Sequence, residues 1–280
     1  DEAAAGANPE PIIYYDVGFP LFFYTSSIPN TLRPRIGGQT NASYKGPVMN
    51  NTAGDLEVYL SHWDWDHWRL GKVAGLQNLK WTYPNQPVGP SVTNFIQSIK
   101  QVNQNNANYF PAGTPFLTQL KYSIYKCNVV SNNRAMIMNN SGLALSAWLL
   151  QPVAGTTVNR VGLTGDCNFN NTGIMPQTGY SCILAVHHGS SNNGADQNLP
   201  VPTNAQGNVN GGTQKGQIVY SYGITSGGTH AYGFPRAAAV TAYRTANWGL
   251  AGNANLEEGT AEGVNINANP PSIATRGNIL

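Results

Sequence analysis

The sequence predicts an α/β fold, a four-layer αβ/βα sandwich over residues 11–255 followed by a peripheral tail over 256–280. Three observations predict it. Short apolar, β-favouring runs cluster in each half of the chain. Helix-patterned stretches at 67–75, 91–104 and 235–246 separate or follow those runs, the alternation expected of a layered α/β domain. The residues able to do chemistry stand at the ends of the apolar runs. No internal repeat or linker divides the chain, and a domain of this length buries about three quarters of its unfolded surface without covalent staples.

Ile12 to Gly18 reads as a strand ending in Asp16-Val17-Gly18, followed by the apolar Leu21 to Tyr24. Residues 26–54, rich in Asn, Gly, Pro and Thr, read as a long loop. Leu56 to Leu60 is a strand, and Asp66-His67 opens a helix that runs to Ala74. Ser91 suits the N-cap of the next helix, in which Val92, Phe95, Ile96 and Ile99 share one face. Phe116 to Val130 and Arg134 to Met138 read as strands joined by a polar turn, and Asn139-Asn140-Ser141 as a second turn before the strand Leu143 to Leu150. Val161 to Leu163 ends in Thr164-Gly165-Asp166, and Cys182 to Val186 ends in His187-His188-Gly189-Ser190. Residues 191–216 are a polar, Gly-rich loop, Ile218 to Tyr222 a strand, and Pro235 opens a helix to Ala246, where its missing N–H is tolerated.

The stretch Tyr59 to Trp68, YLSHWDWDHW, packs two histidines and two aspartates into six positions: His62, Asp64, Asp66 and His67. No regular period puts offsets of that kind on one face, but a tight loop between a strand and a helix can aim all four at one point. Imidazole nitrogens and carboxylate oxygens converging at a strand end are divalent-metal donors. Without a cation the cluster would carry uncompensated negative charge. Four of the five histidines of the chain lie in this motif and in His187-His188; the fifth is His230. Trp63, Trp65 and Trp68 interleave the donors, either as a wall that stiffens the loop or, for Trp63 and Trp65, as faces on which bases or sugars stack. Asp16 is either a partner of a metal-binding histidine or a turn cap, and Ser190 either orients a substrate oxygen or caps the next turn.

The succession His-x-Asp-x-Asp-His, Thr-Gly-Asp and His-His-Gly-Ser resembles the metallo-β-lactamase superfamily, and within it the nuclease-like soluble domain of the ComEC competence proteins. Asp64 stands where the superfamily usually has a second histidine. Asp16-Val17-Gly18 is similar to the opening of the ComEC-type domain, with Phe19-Pro20 in place of Gln and a small residue. The segment from Ser221 to Pro235 is similar to a third ComEC-type stretch, with His230 at the family's Asn position and Phe234 at its His position. The resemblance implies two divalent cations, Mn or Zn. His62 and Asp64 would hold the first, Asp66 and His67 the second, Asp166 would bridge, and His187 or His188 would complete a site. Asp66 and His230 would stand closest to the chemistry, His230 taking over the role, proton donor or metal ligand, that Phe234 cannot play.

Two such cations activate a water and clamp substrate oxygens, so the expected function is a metal-dependent hydrolase, a phosphodiesterase or nuclease acting on DNA or another phosphodiester. The alternatives are a hydrolase of a small ester, lactone or β-lactam on the same fold, or a metal-binding module without catalysis, the latter suggested by Phe19 and Phe234. Composition bounds these readings. Charged residues are 10% of the chain against a usual ~25%, and the net charge is only +2, without a Lys/Arg run of the kind that marks a strong nucleic-acid binder. No stretch is long and apolar enough to span a membrane. Cys127, Cys167 and Cys182 permit at most one internal disulfide and leave the compartment open. The small, flexible DEAAAGANPEP opening fits either a removed signal peptide or a cut from a longer protein, and the polar, lysine-poor composition favours a secreted or periplasmic protein over a cytoplasmic one.

Overall fold

The strand-favouring runs before residue 112 pair as an all-parallel sheet of four strands: β1 (Ile13–Tyr15), β2 (Glu57–Tyr59), β3 (Lys80–Pro84) and β4 (Ala107–Phe110), in that spatial order. In this computed structural model residues 13–16, 57–73, 76–102, 107–110, 116–118, 122–148, 160–177, 179–190, 199–202, 215–220, 235–250, 257–259, 264–266 and 273–275 are described. Two units divide the chain, one within residues 1–112 and one within 113–279. The fold class is mixed α/β, as the sequence predicts.

Parallel neighbours require crossovers, and helices supply them in the first unit. Helix α1 (Trp65–Val73) connects β2 to β3 through a 3-10 turn at Leu76–Asn78, and α2 (Pro90–Val102) connects β3 to β4. Asp66 in the first turn of α1 and Lys72 in its last both complement the helix dipole. The helix α2 starts on Pro90, one residue before the expected cap Ser91, because proline's fixed φ and missing N–H suit the first helical position. Val92, Phe95 and Ile99 are its buried stripe. Phe95 stacks on Trp68 at 4.9 Å and meets Trp81 edge-on at 5.2 Å, so the two helices and β3 share one aromatic core. β3 is buried along its last four residues, which hides the alternation by which a half-exposed strand is read from sequence.

The second unit is built on a seven-stranded sheet in the order β11-β10-β9-β8-β7-β6-β5. Its strands are β5 (Phe116–Thr118), β6 (Tyr122–Lys126), β7 (Leu143–Trp148), β8 (Arg160–Leu163), β9 (Tyr180–Leu184), β10 (Gln217–Tyr220) and β11 (Glu257–Gly259). β5 to β8 are antiparallel, and β8 to β11 are parallel. Beyond it β12 (Val264–Ile266) pairs with β13 (Ile273–Thr275), so the 256–280 segment holds three short strands among its described residues. Tyr180, Ile183, Ile218 and Tyr220 pack with Tyr243 and Val240 of α4 (Ala237–Thr245) on one face; Val161, Cys182 and Val219 form a separate buried cluster.

Two elements differ from expectation. Phe116 to Val130 is not one strand but the antiparallel pair β5 and β6, which ends at Lys126. Arg134–Asn140 is a helix, α3, and not a strand. Asn133 caps it: its side-chain oxygen accepts hydrogen bonds from the N–H groups of Ala135 and Met136 at 2.9 and 3.2 Å. The cap satisfies two of the donors that a short helix otherwise leaves orphaned, and Arg, Ala and Met are strong helix formers. The expected Asn139-Asn140 turn is therefore the last turn of α3. The three cysteines are buried thiols, and among the described residues none of them forms a disulfide. Among the described residues no helix is long and apolar enough to cross a membrane.

Candidate functional site

In both units the polar motifs follow the carboxyl ends of parallel strands, where α/β folds place their ligands. β2 ends at Tyr59 and delivers Ser61 to Asp64 as a loop; the His67 N–H bonded to the Asp64 carbonyl at 3.0 Å then turns the chain into α1. β1 delivers Asp16, whose N–H donates to the Tyr59 carbonyl at 2.9 Å and whose φ of 61° is unusual for a residue with a side chain.

That conformation turns the Asp16 carboxylate onto the motif. Oδ1 accepts the Ser61 N–H at 2.6 Å, and Oδ2 accepts the Ser61 hydroxyl at 2.8 Å and lies 2.9 Å from His67 Nδ1. The Ser61 oxygen also stands 3.0 Å from His62 Nδ1. A serine hydroxyl has one proton, so donating to Asp16 makes it an acceptor toward His62. Both histidines then carry their proton on Nδ1 and direct the Nε2 lone pair the other way, the orientation of a metal-ligating imidazole. His62 Nε2 is 3.4 Å from Asp64 Oδ2, and His67 Nε2 is 3.9 Å from Asp66 Oδ1. The rings are buried with centroids 4.0 Å apart, while the Asp64 and Asp66 side chains are 47% and 28% exposed. Imidazole lone pairs facing carboxylate oxygens repel unless a cation or an added proton lies between them, so this donor set fits a divalent metal.

In the second unit Asp166 follows β8 in the Thr164-Gly165-Asp166 turn, and His187 and His188 follow β9. A backbone bond from His187 N–H to the Gly165 carbonyl, 3.0 Å, joins the two turns. Asp166 Oδ2 is 3.2 Å from His187 Nε2, and Oδ1 is 3.8 Å from His188 Nε2. Three successive residues have positive φ: His187 at 47°, His188 at 56° and Gly189 at 81°. Each non-glycine residue held there costs roughly 1–2 kcal/mol, a strain that concentrates at functional sites. The surroundings hold it: Val186 N–H donates to the Tyr243 hydroxyl of α4 at 2.9 Å, and the Gly189 carbonyl accepts the Arg236 N–H at 2.8 Å.

Asn140 and Asn139 complete this half. Asn140 is fully buried, and its side-chain oxygen accepts Asn168 N–H and the Asn171 amide at 2.9 and 3.0 Å, pinning the chain beyond Asp166 to α3. The Asn139 amide approaches His187 Nδ1 at 3.4 Å. Neither asparagine, nor Ser61, was singled out from sequence. The signal for Ser61 was its place beside the motif; the asparagines gave none, being read as a turn.

The remaining candidates fall as follows. Of the two alternatives for Asp16, the structure shows contact with His67, at 2.9 Å. Ser190 caps His187 with its backbone N–H at 2.9 Å, while its hydroxyl, in a residue 3% exposed, has no hydrogen-bond partner among the described residues. Trp63 donates from its indole N–H to the Pro84 carbonyl at 3.2 Å and packs edge-on to Trp68 and Tyr83, a wall position. Trp65, partly exposed, carries the Arg69 guanidinium 4.2 Å above its ring. His230, Phe19 and Phe234 lie outside the described residues.

Buried histidine and aspartate groups of this structure could thus hold a metal ion. No protein-family model, no curated protein and no solved structure matches the chain.

Proposed function

We propose that the chain is a metal-dependent hydrolase of the metallo-β-lactamase type, a phosphodiesterase or nuclease, with the four-layer αβ/βα sandwich of that superfamily. The observation that carries the reading is the Asp16–Ser61 network, which engages Nδ1 of both His62 and His67 and turns both Nε2 atoms toward the Asp64 and Asp66 carboxylates, where a metal would lie. His62, Asp64, Asp66 and His67 would hold metal from the first unit, Asp166 with one of His187 and His188 from the second. Their assignment to one reaction rests on the order of the three motifs in the sequence. When bound, Mn or Zn supplies Lewis-acid polarisation of substrate oxygens and acidification of water. Asp64 in place of a histidine makes the donor set richer in oxygen, which favours Mn more than an all-histidine set would.

The chain's own residues orient, donate and shield. Asp16 and Ser61 fix the imidazole tautomers. The Ser190 hydroxyl is available to a substrate oxygen, Trp63 and Trp68 exclude water behind the motif loop, and His230 is the proposed proton donor. The proposed substrate is DNA or another phosphodiester. A net charge of +2 without a basic run favours a second reading, hydrolysis of a small ester, lactone or β-lactam. The test is turnover of bis(p-nitrophenyl) phosphate and of single- and double-stranded DNA with Mn or Zn, beside nitrocefin and a lactone. Phosphodiester cleavage abolished by EDTA is expected. Cleavage of only the lactam or lactone selects the second reading, and no turnover with either metal rejects the enzyme.

A further inference from the structure

His187 and His188 are neighbours in sequence, yet their surroundings differ. Two groups line up on His187: the Asn139 amide nitrogen at 3.4 Å from Nδ1, and beyond the ring the Asp166 Oδ2 at 3.2 Å from Nε2. An amide N–H donating to Nδ1 puts the ring proton on Nε2, and that N–H then donates to Asp166. A ring used in this way has no lone pair left for a metal. His188 faces the other oxygen of the same carboxylate, with Nε2 3.8 Å from Oδ1, and its side chain is 8% exposed against 24% for His187. The consecutive left-handed residues allow this division: the two rings stand 70° to one another with centroids 5.9 Å apart and reach Asp166 from different sides. In an extended chain successive side chains would point to opposite faces.

We infer that His188 is the metal ligand of the pair, and that His187 is a positioning residue in a chain Asn139–His187–Asp166 that holds one carboxylate oxygen and presents the other. The inference rests on the metal-binding reading above. A ligating carboxylate fixed by an outer hydrogen bond keeps its direction and basicity, and losing such a partner typically weakens metal affinity about 10–100-fold without removing the ion.

The experiment uses the full chain with zinc or cobalt alone as probe. Metal stoichiometry, affinity by chelator competition and the visible spectrum of the Co(II) protein are measured for wild type, H187A, H187Q, N139L and H188A. The glutamine side chain can offer an N–H in place of the imidazole Nε2–H. Expected results are wild-type stoichiometry with ~10–100-fold weaker binding in H187A, a smaller loss in N139L, and recovery in H187Q. H188A is expected to lower stoichiometry and alter the Co(II) spectrum. Loss of the ion in H187A, an affinity that H187A leaves unchanged, or a weakening that H187Q does not relieve would each overturn the inference. If wild type binds neither metal, the metal reading fails, and ring ¹H–¹⁵N correlations of the metal-free protein still decide the hydrogen-bond chain. An Nε2–H tautomer at His187 that is disturbed in N139L supports it; an Nδ1–H tautomer overturns it.

Discussion

In the first unit the candidate ligands are oriented by a carboxylate, and in the second by carboxamides. Asp16 reaches Ser61 across 45 positions of sequence and His67 across 51, and a single charged group receives a backbone N–H, a hydroxyl and an imidazole. Asn139 and Asn140 act from one short helix, one on a histidine and one on the loop after Asp166. Hydrogen bonds to an ionised acceptor are roughly twice as strong as neutral ones, so the first arrangement concentrates its stabilisation in one residue. The second spreads it over two amides, a strained backbone and the Tyr243 and Arg236 anchors. The difference teaches where each half is vulnerable: the first to loss of one side chain, the second to anything that disturbs its backbone.

The largest effect is expected from Asp16→Ala. It strands buried donors at about 1–3 kcal/mol each, so a loss of roughly 3 kcal/mol in urea denaturation is expected, with metal affinity ~10–100-fold weaker. A loss as small as that of an exposed aspartate would remove the asymmetry between the units. Gly189→Ala comes next. Its φ is 81°, and an added Cβ would lie 2.6 Å from Pro235 Cβ. The expected cost is roughly 2 kcal/mol, seen as a lower Tm, since the left-handed backbone alone accounts for about 1–2 kcal/mol. Asn140→Ala should cost about 1–2 kcal/mol, because Asn168 N–H loses its acceptor in a partly buried place. Its metal affinity should fall as well; unchanged affinity would mean that the loop holds Asp166 without α3.

The smallest effect is a pH dependence. Lys126 donates to the Ser141 and Gly142 carbonyls just after α3, and burial lowers its pKa from 10.5, opposed by the nearby Cys127 and Cys167. Between the lowered folded value and 10.5 the unfolded chain binds more protons, so stability rises with pH across that window. Wild type should therefore gain stability relative to Lys126→Met as pH rises toward 10.5 in parallel denaturation series. A pH-independent difference between the two would contradict the burial of this ammonium.

The same contrast governs what could be read from the chain. His62, Asp64, Asp66 and His67 are legible because they are contiguous and chemically improbable as a turn. The partnership of Asp16 with them was only one of two readings, since nothing local ties residues so far apart. α2 is legible through its 3.6-residue stripe of Val92, Phe95 and Ile99. α3 was misread because Arg134 to Met138 is too short to display a helical period, and its start is decided by the Asn133 side chain. β3 and β4 were not assigned: four successive buried residues in β3 erase the alternation that marks a strand. The positive φ run at His187 to Gly189 leaves only the glycine as a trace in sequence.

The central claim is that these buried histidines and aspartates bind divalent metal. Metal content of the chain purified without chelator, followed by titration of Mn and Zn into the stripped protein while Tm is recorded, tests it most directly. The account predicts about two ions per chain at saturation, with Tm raised by at least one of the metals. A protein that carries no metal, and whose Tm neither Mn nor Zn moves, would contradict it.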